Sequence, residues 1–137
     1  MACFFCSDEY KNYYQFITEL EECIVLLNNE QTYEGRCALV TKKHATELFE
    51  LDPQVLSTYM AEVAQVARAV KAIFKADKIN YYICGDIDQH LHMHIVPKHK
   101  GGSEWGQAFL MSGREVFLSE EKYSRLVEKI RAALSTT

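Results

Sequence analysis

Proline is scarce in this chain, with two in 137 residues, and glycine is not much commoner, with six. Nothing therefore reads as a flexible linker, and no repeat or low-complexity tract takes that place, so residues 1–137 are expected to form a single domain. Long apolar runs are missing too, which excludes a membrane-spanning helix. There is no basic excess: Lys and Arg total 15 against 19 Asp and Glu, a net charge of -4. That argues against a general nucleic-acid binder while leaving room for a local anion pocket. Met1-Ala2-Cys3-Phe4-Phe5-Cys6 lacks the basic stretch and long apolar core of a secretory signal. Five cysteines are an odd number and too few for a disulfide framework, so reduced thiols in the cytoplasm are expected.

What is present is an ordinary globular composition, 48% hydrophobic and 25% charged, in a chain long enough to bury a proper core. Tyr13 to Leu20 is β-rich, Cys23 to Leu27 is nearly all apolar, and Cys37 to Val40 is another short apolar strand. Asp52-Pro53 then opens a long helix. Leu56, Tyr59, Met60, Val63, Val66, Ala67, Val70, Ile73 and Phe74 recur along it at helical spacing. Ile79 to Cys84 reads as a strand, and Gly85-Asp86-Ile87-Asp88 turns the chain into the next one. Lys98 to Gly113 is irregular and holds the single tryptophan, Trp105. Ser119 caps a C-terminal helix whose first turn carries Glu120 and Glu121. The expected fold is α+β: an antiparallel sheet of about five strands with one long helix and a C-terminal helix.

The chemistry concentrates in Gln89-His90-Leu91-His92-Met93-His94-Ile95-Val96-Pro97. Alternation with apolar residues puts His90, His92 and His94 on one face of a strand and Leu91, Met93 and Ile95 on the other. Pro97, lacking a donor, is expected to end the run. The same-face histidines stand about 6 to 7 Å apart per step, close enough to surround one phosphate or one metal. Three of only five histidines in strict alternation do not look like an inert surface. They form either a metal cage or an array of acid, base and nucleophile.

The run His90-Leu91-His92-Met93-His94-Ile95-Val96 resembles the signature of the histidine triad (HIT) family. Leu39-Val40-Thr41-Lys42-Lys43-His44 resembles that family's strand ending in a histidine. Cys3-Phe4-Phe5-Cys6 is similar to the N-terminal Cys-x-x-Cys of bacterial-type members. The resemblance implies a nucleotide hydrolase acting on nucleoside phosphoramidates or dinucleoside polyphosphates. His92 would attack the α-phosphate, a nucleotidyl-histidine would form, and water would release the nucleoside monophosphate. The implied catalytic set is His92, His94 and His90, with His94 donating to phosphate or leaving group and His90 orienting the strand. Related nucleotidyltransferases carry glutamine where this chain has His94, which favours hydrolysis. The alternatives are a nucleotidyltransferase or phosphorylase and a non-catalytic nucleotide-binding zinc module.

The resemblance further implies a structural zinc on Cys3, Cys6, His44 and His90. It places Asn28, with Asn29 as the neighbouring alternative, on the ribose hydroxyls of a purine nucleotide or dinucleotide. Ile24 and Leu26 or Leu27 would flank the base, and Trp105 would either reach over a dimer mate's pocket or serve in plain packing. A homodimer that extends the sheet is implied as well. Two features depart from the family pattern. Cys84-Gly85-Asp86-Ile87-Asp88 replaces a loop that supplies a hydroxyl to the α-phosphate, so Gln89 or a backbone N–H is expected to substitute. Thr41 stands where proline is common.

Overall fold

A computed structural model describes residues 3–135. Five strands form one sheet in the order β1-β2-β3-β5-β4, with every neighbouring pair antiparallel. They are β1 (Tyr14–Glu19), β2 (Cys23–Asn28), β3 (Cys37–Thr41), β4 (Lys78–Tyr82) and β5 (His92–Lys98). The long helix α1 spans Pro53–Ile73 and the C-terminal helix α2 spans Glu120–Ser135. The first starts where Asp52-Pro53 predicts, because a proline at the first helical position loses no hydrogen bond. The second is capped as expected, with the Lys122 N–H donating to Ser119 Oγ at 3.2 Å.

Both helices cover the same face of the sheet. Val25, Leu27, Leu39, Met93 and Ile95 from the strands pack there with Tyr59, Val63, Val66 and Val70 of α1 and with Val127 and Ile130 of α2. The Tyr59 hydroxyl is buried in this layer and donates to the Leu39 carbonyl at 2.8 Å. The buried Glu62 accepts the backbone N–H groups of Glu21 and Glu22, which fixes the β1–β2 turn to α1. Burial on that face sets the register, since a one-residue slip would turn every apolar side chain to the wrong side. The opposite face is then left to Leu26, Val40 and the histidines.

Three expectations are corrected in detail. Pro97 does not end the last strand: it pairs with Ile79 of β4, and β5 runs on to Lys98. Its missing donor is tolerated because β3 has already parted from β5 after Ile95. His90 lies just before β5 rather than in it, in a bend whose next residue, Leu91, donates its N–H to the Ala45 carbonyl at 2.7 Å. The fourth strand ends at Tyr82, two residues short of Cys84.

The segment from Lys98 to Ser119 folds back along the sheet and is held by specific bonds. Buried Lys98 donates to the carbonyls of Glu104 and Gln107. Tyr33 and Arg114 both donate to the Glu104 carboxylate, and the Leu110 N–H donates to the Tyr33 hydroxyl at 2.7 Å. The Val116 N–H donates to Glu30 at 2.6 Å. Met111 is thereby set against the uncovered face of the sheet. Gly35 makes the tight entry to β3 with φ +92, and a Cβ there would sit 2.5 Å from the Phe74 ring.

Candidate functional site

The uncovered sheet face carries two adjoining groups of side chains. The first gathers where β3 ends and β5 begins. His44 leaves β3, His90 enters β5, and Cys3 and Cys6 come from the N-terminal segment, with Phe5 packed on Leu26 and Val40. All four ligand atoms lie within 4.8 Å of one another. The His90 Nδ1 is 3.4 Å from each thiol and 3.2 Å from the His44 Nδ1, and the Cys6 Sγ is 3.4 Å from the His44 Nδ1. Ligand separations around a tetrahedral zinc with thiolate and imidazole donors are about 3.3 to 3.8 Å, from bond lengths of about 2.0 to 2.3 Å. The donor set and its spacing fit that ion.

The Thr41 carbonyl accepts the Nε2–H of His90 at 2.6 Å. A carbonyl only accepts, so Nδ1 keeps its lone pair, directed at the thiols. Burial holds the His90 imidazole below its usual range, which keeps that lone pair free at neutral pH. A ligating histidine commonly donates its other N–H to a carbonyl in this way.

The second group borders an open cleft of about 1680 Å³ lined by Tyr14, Asn28, Arg36, Asp88, His92 and His94 among others. The His92 Nδ1–H donates to the His90 carbonyl at 2.7 Å, which leaves Nε2 unprotonated on a ring that borders the cleft. His94 meets His92 edge to face, with centroids 5.0 Å apart. Its Nδ1 lies 3.3 Å from the Arg36 guanidinium, which can only donate, so the His94 proton sits on Nε2. Burial pushes His92 down, and burial followed by the Arg36 charge pushes His94 down to about 3. Both rings are neutral at pH 7.

Strand pairing explains how Arg36 and Asn28 reach this place. Ala38 pairs with His94, so Arg36, two residues earlier, shares its face. The Asn28 N–H donates to the Arg36 carbonyl at 3.1 Å, and Tyr14 pairs with Asn28, giving a row Tyr14–Asn28–Arg36 from β1 and β2 to the residue just before β3. Asn28 and Arg36 are buried, and Asn28 Oδ1 and Arg36 Nε have no partner among the described residues. Buried polar atoms are rarely left so, and both belong to side chains that border the cleft.

The HIT domain profile matches residues 9–101, two thirds of the sequence and all of the histidine run. The chain belongs to the HIT domain family. An uncharacterized HIT-like protein of Mycoplasma genitalium is 29% identical over 111 residues, covering 77% of this chain and 79% of that one. The adenylylsulfatase HINT3 of Arabidopsis thaliana is 23% identical over 121 residues, covering 85% of this chain and 60% of that protein. A zinc-bound HIT protein from Mycobacterium smegmatis shares the fold, with a TM-score of 0.69 at 22% identity over 99% of this chain and 95% of that one.

The structure brings Cys3 and Cys6, just before the matched HIT region, together with His44 and His90, and places Asn28, Asn29, His92 and His94 on the cleft. Leu26 and Gln89 are not among the residues bordering it. Leu26 is fully buried in a cluster with Phe5 and Val40, which leaves no surface for a base to touch. Trp105 does not border the cleft of its own chain. Arg36, Phe109 and Met111 were not singled out from the sequence. The available signal for Arg36 was a charged residue at an alternate position leading into the apolar strand Cys37–Val40.

Proposed function

We propose that this HIT protein hydrolyses nucleotides at the α-phosphate through a nucleotidyl intermediate on His92. One observation carries the reading. The His92 Nδ1–H is tied to its own strand's carbonyl, so Nε2 is an unprotonated nitrogen on a neutral ring beside the cleft. A neutral imidazole is a nucleophile at pH 7, and covalent transfer to it divides one displacement into two easier steps. His94, with its proton on Nε2, donates to a phosphoryl oxygen. Asn28 offers its unpartnered Oδ1 to a ribose hydroxyl, with Asn29, which donates to the Asn12 carbonyl, beside it. Gln89, outside the cleft lining, is assigned no direct contact. The adenylylsulfatase activity named for the Arabidopsis relative agrees with adenylyl chemistry.

The site of Cys3, Cys6, His44 and His90 would hold a structural zinc that anchors the N-terminal segment and His90 to the sheet. A homodimer is proposed through β4, the sheet-edge strand that exposes Tyr81 and Tyr82. The cysteines form no disulfide among the described residues, and no helix there is long and apolar enough to cross a membrane.

The test is to incubate the protein with diadenosine tetraphosphate, with and without inorganic phosphate, beside His92→Asn. Wild type is expected to release AMP and, after acid-free quenching, to carry an adenylyl group on His92 by mass spectrometry. AMP release that survives in His92→Asn would sink the assignment. ADP formed only when phosphate is present would mean a transferase, and tight AMP binding without turnover a recognition module.

A further inference from the structure

Arg36 is the one charged side chain of the cleft that is almost fully buried, at 2% exposure. Among the described residues no carboxylate forms an ion pair with it. The guanidinium donates to the Met111 carbonyl at 2.8 Å, to the Met111 thioether at 3.2 Å and to the His94 Nδ1 at 3.3 Å. The Phe109 ring lies under it, with the centroid 5.0 Å away. Glu30, Tyr14 and Tyr33 are within electrostatic reach. Glu30, however, is already held by Thr32 and by the Val116 N–H. A buried cation with no paired anion carries a large desolvation penalty, and a bound anion offsets it.

The same contact constrains His94. Because a guanidinium has no acceptor, Nδ1 must accept and the ring proton must sit on Nε2. A second proton could go only on Nδ1. That would set two donors, each on a cation, 3.3 Å apart. The other titratable ring facing His94 is His92, edge to face with centroids 5.0 Å apart, and its one ring proton is directed away, to the His90 carbonyl at 2.7 Å. His94 therefore hydrogen-bonds as a neutral donor and has no spare proton to give away.

Resting on the His92 reading above, we propose that Arg36 is a positioning residue that keeps His94 a neutral donor and so selects the substrate class. The favoured substrates are nucleotidyl anhydrides, whose leaving group departs as a stable phosphate, sulfate or carboxylate anion. Alkyl phosphoramidates are disfavoured, because their amine must gain a proton as it leaves. In the first step the His92 Nε2 bonds to phosphorus and the bridging P–O bond breaks, its electron pair leaving on oxygen without a proton. In the second, water bonds to phosphorus and the P–Nε2 pair returns to the ring. One water proton passes to solvent and the nucleoside monophosphate leaves.

The experiment compares kcat/KM for diadenosine tetraphosphate and an adenosine 5′-(N-alkyl)phosphoramidate in wild type, Arg36→Gln and Arg36→Lys. General-acid assistance is typically worth about a hundredfold or more. Wild type is accordingly expected to favour the anhydride by about that factor, and Arg36→Gln to narrow the ratio at least tenfold, with Arg36→Lys between. An amidate cleaved as fast as the anhydride by wild type overturns the proposal, as does a ratio that Arg36→Gln leaves unchanged. ¹⁵N NMR of wild type needs no variant and no turnover. The His94 ring should stay singly protonated, on Nε2, from pH 7.5 to 5, and a ring that takes a second proton in that range overturns the Arg36 role. If neither substrate adenylylates His92 while the NMR signature holds, the hydrolase reading and its substrate class fall together and the Arg36–His94 coupling stands.

Discussion

The backbone carbonyl of His90 accepts the Nδ1–H of His92 at 2.7 Å. One residue thus joins the two halves of the face. Its ring is turned to Cys3, Cys6 and His44, and its carbonyl sets the tautomer of the proposed nucleophile. Loss of the proposed zinc is therefore expected to reach the chemistry through the His90 backbone. Cys3→Ser with Cys6→Ser should abolish metal binding and lower single-turnover adenylylation of His92 about ten- to a hundredfold, the usual range for a displaced supporting shell. Elemental analysis and rapid quench measure the two effects. Unchanged adenylylation in folded, metal-free protein would show that the link is absent.

Acid stability follows from the buried rings. The folded His94 is held down to about 3, while an unfolded histidine titrates near about 6.5. Between those values the unfolded chain binds a proton that the folded one refuses. The stabilisation is complete above about pH 6.5 and is lost as pH falls, at up to about 1.4 kcal/mol per pH unit for one such group. Urea denaturation at pH 7 and pH 5 should show the loss, with a shallower dependence in His94→Asn. Equal slopes would assign the acid sensitivity to other groups.

Asn28 should separate stability from binding. Its Oδ1 is buried and unpartnered, and exchanging such a group for an apolar one of similar shape is often neutral or stabilising. Asn28→Leu is expected to hold or raise the thermal midpoint while weakening AMP binding about tenfold by calorimetry. A large loss of stability with affinity intact would make Asn28 a purely structural residue.

Gly35 sets the entry to β3 that carries Arg36. Its φ of +92 and the Phe74 ring 2.5 Å from an added Cβ oppose any side chain. Gly35→Ala should cost about 1 to 3 kcal/mol in denaturant titrations. Adding Phe74→Leu should recover only the steric part, since the backbone strain remains. Full recovery in the double variant would remove the left-handed backbone from the account.

Much of this protein was legible from order and spacing. Alternation from His90 to Ile95 correctly assigned Leu91, Met93 and Ile95 to the helix-covered core, because a strand's period of two is fixed by its backbone. Asp52-Pro53 and the apolar spacing after it located α1 for the same kind of reason. Other features were hidden because they depend on what lies across from a residue rather than beside it. Pro97 stays in a strand only because β3 has already ended opposite it. Leu26 is fully buried in a cluster that includes Phe5, more than twenty residues away.

The histidine run itself marks the same division. Sequence alone determined that three imidazoles would line one side of the chain, since local backbone geometry decides that. Tertiary structure decided what each ring does. The carbonyls of Thr41 and His90 and the guanidinium of Arg36 assign one protonated nitrogen to each of His90, His92 and His94. Those three partners are brought in by strand pairing and by the bend before β5. An imidazole's role follows from which nitrogen is engaged, and that is a property of neighbours in space.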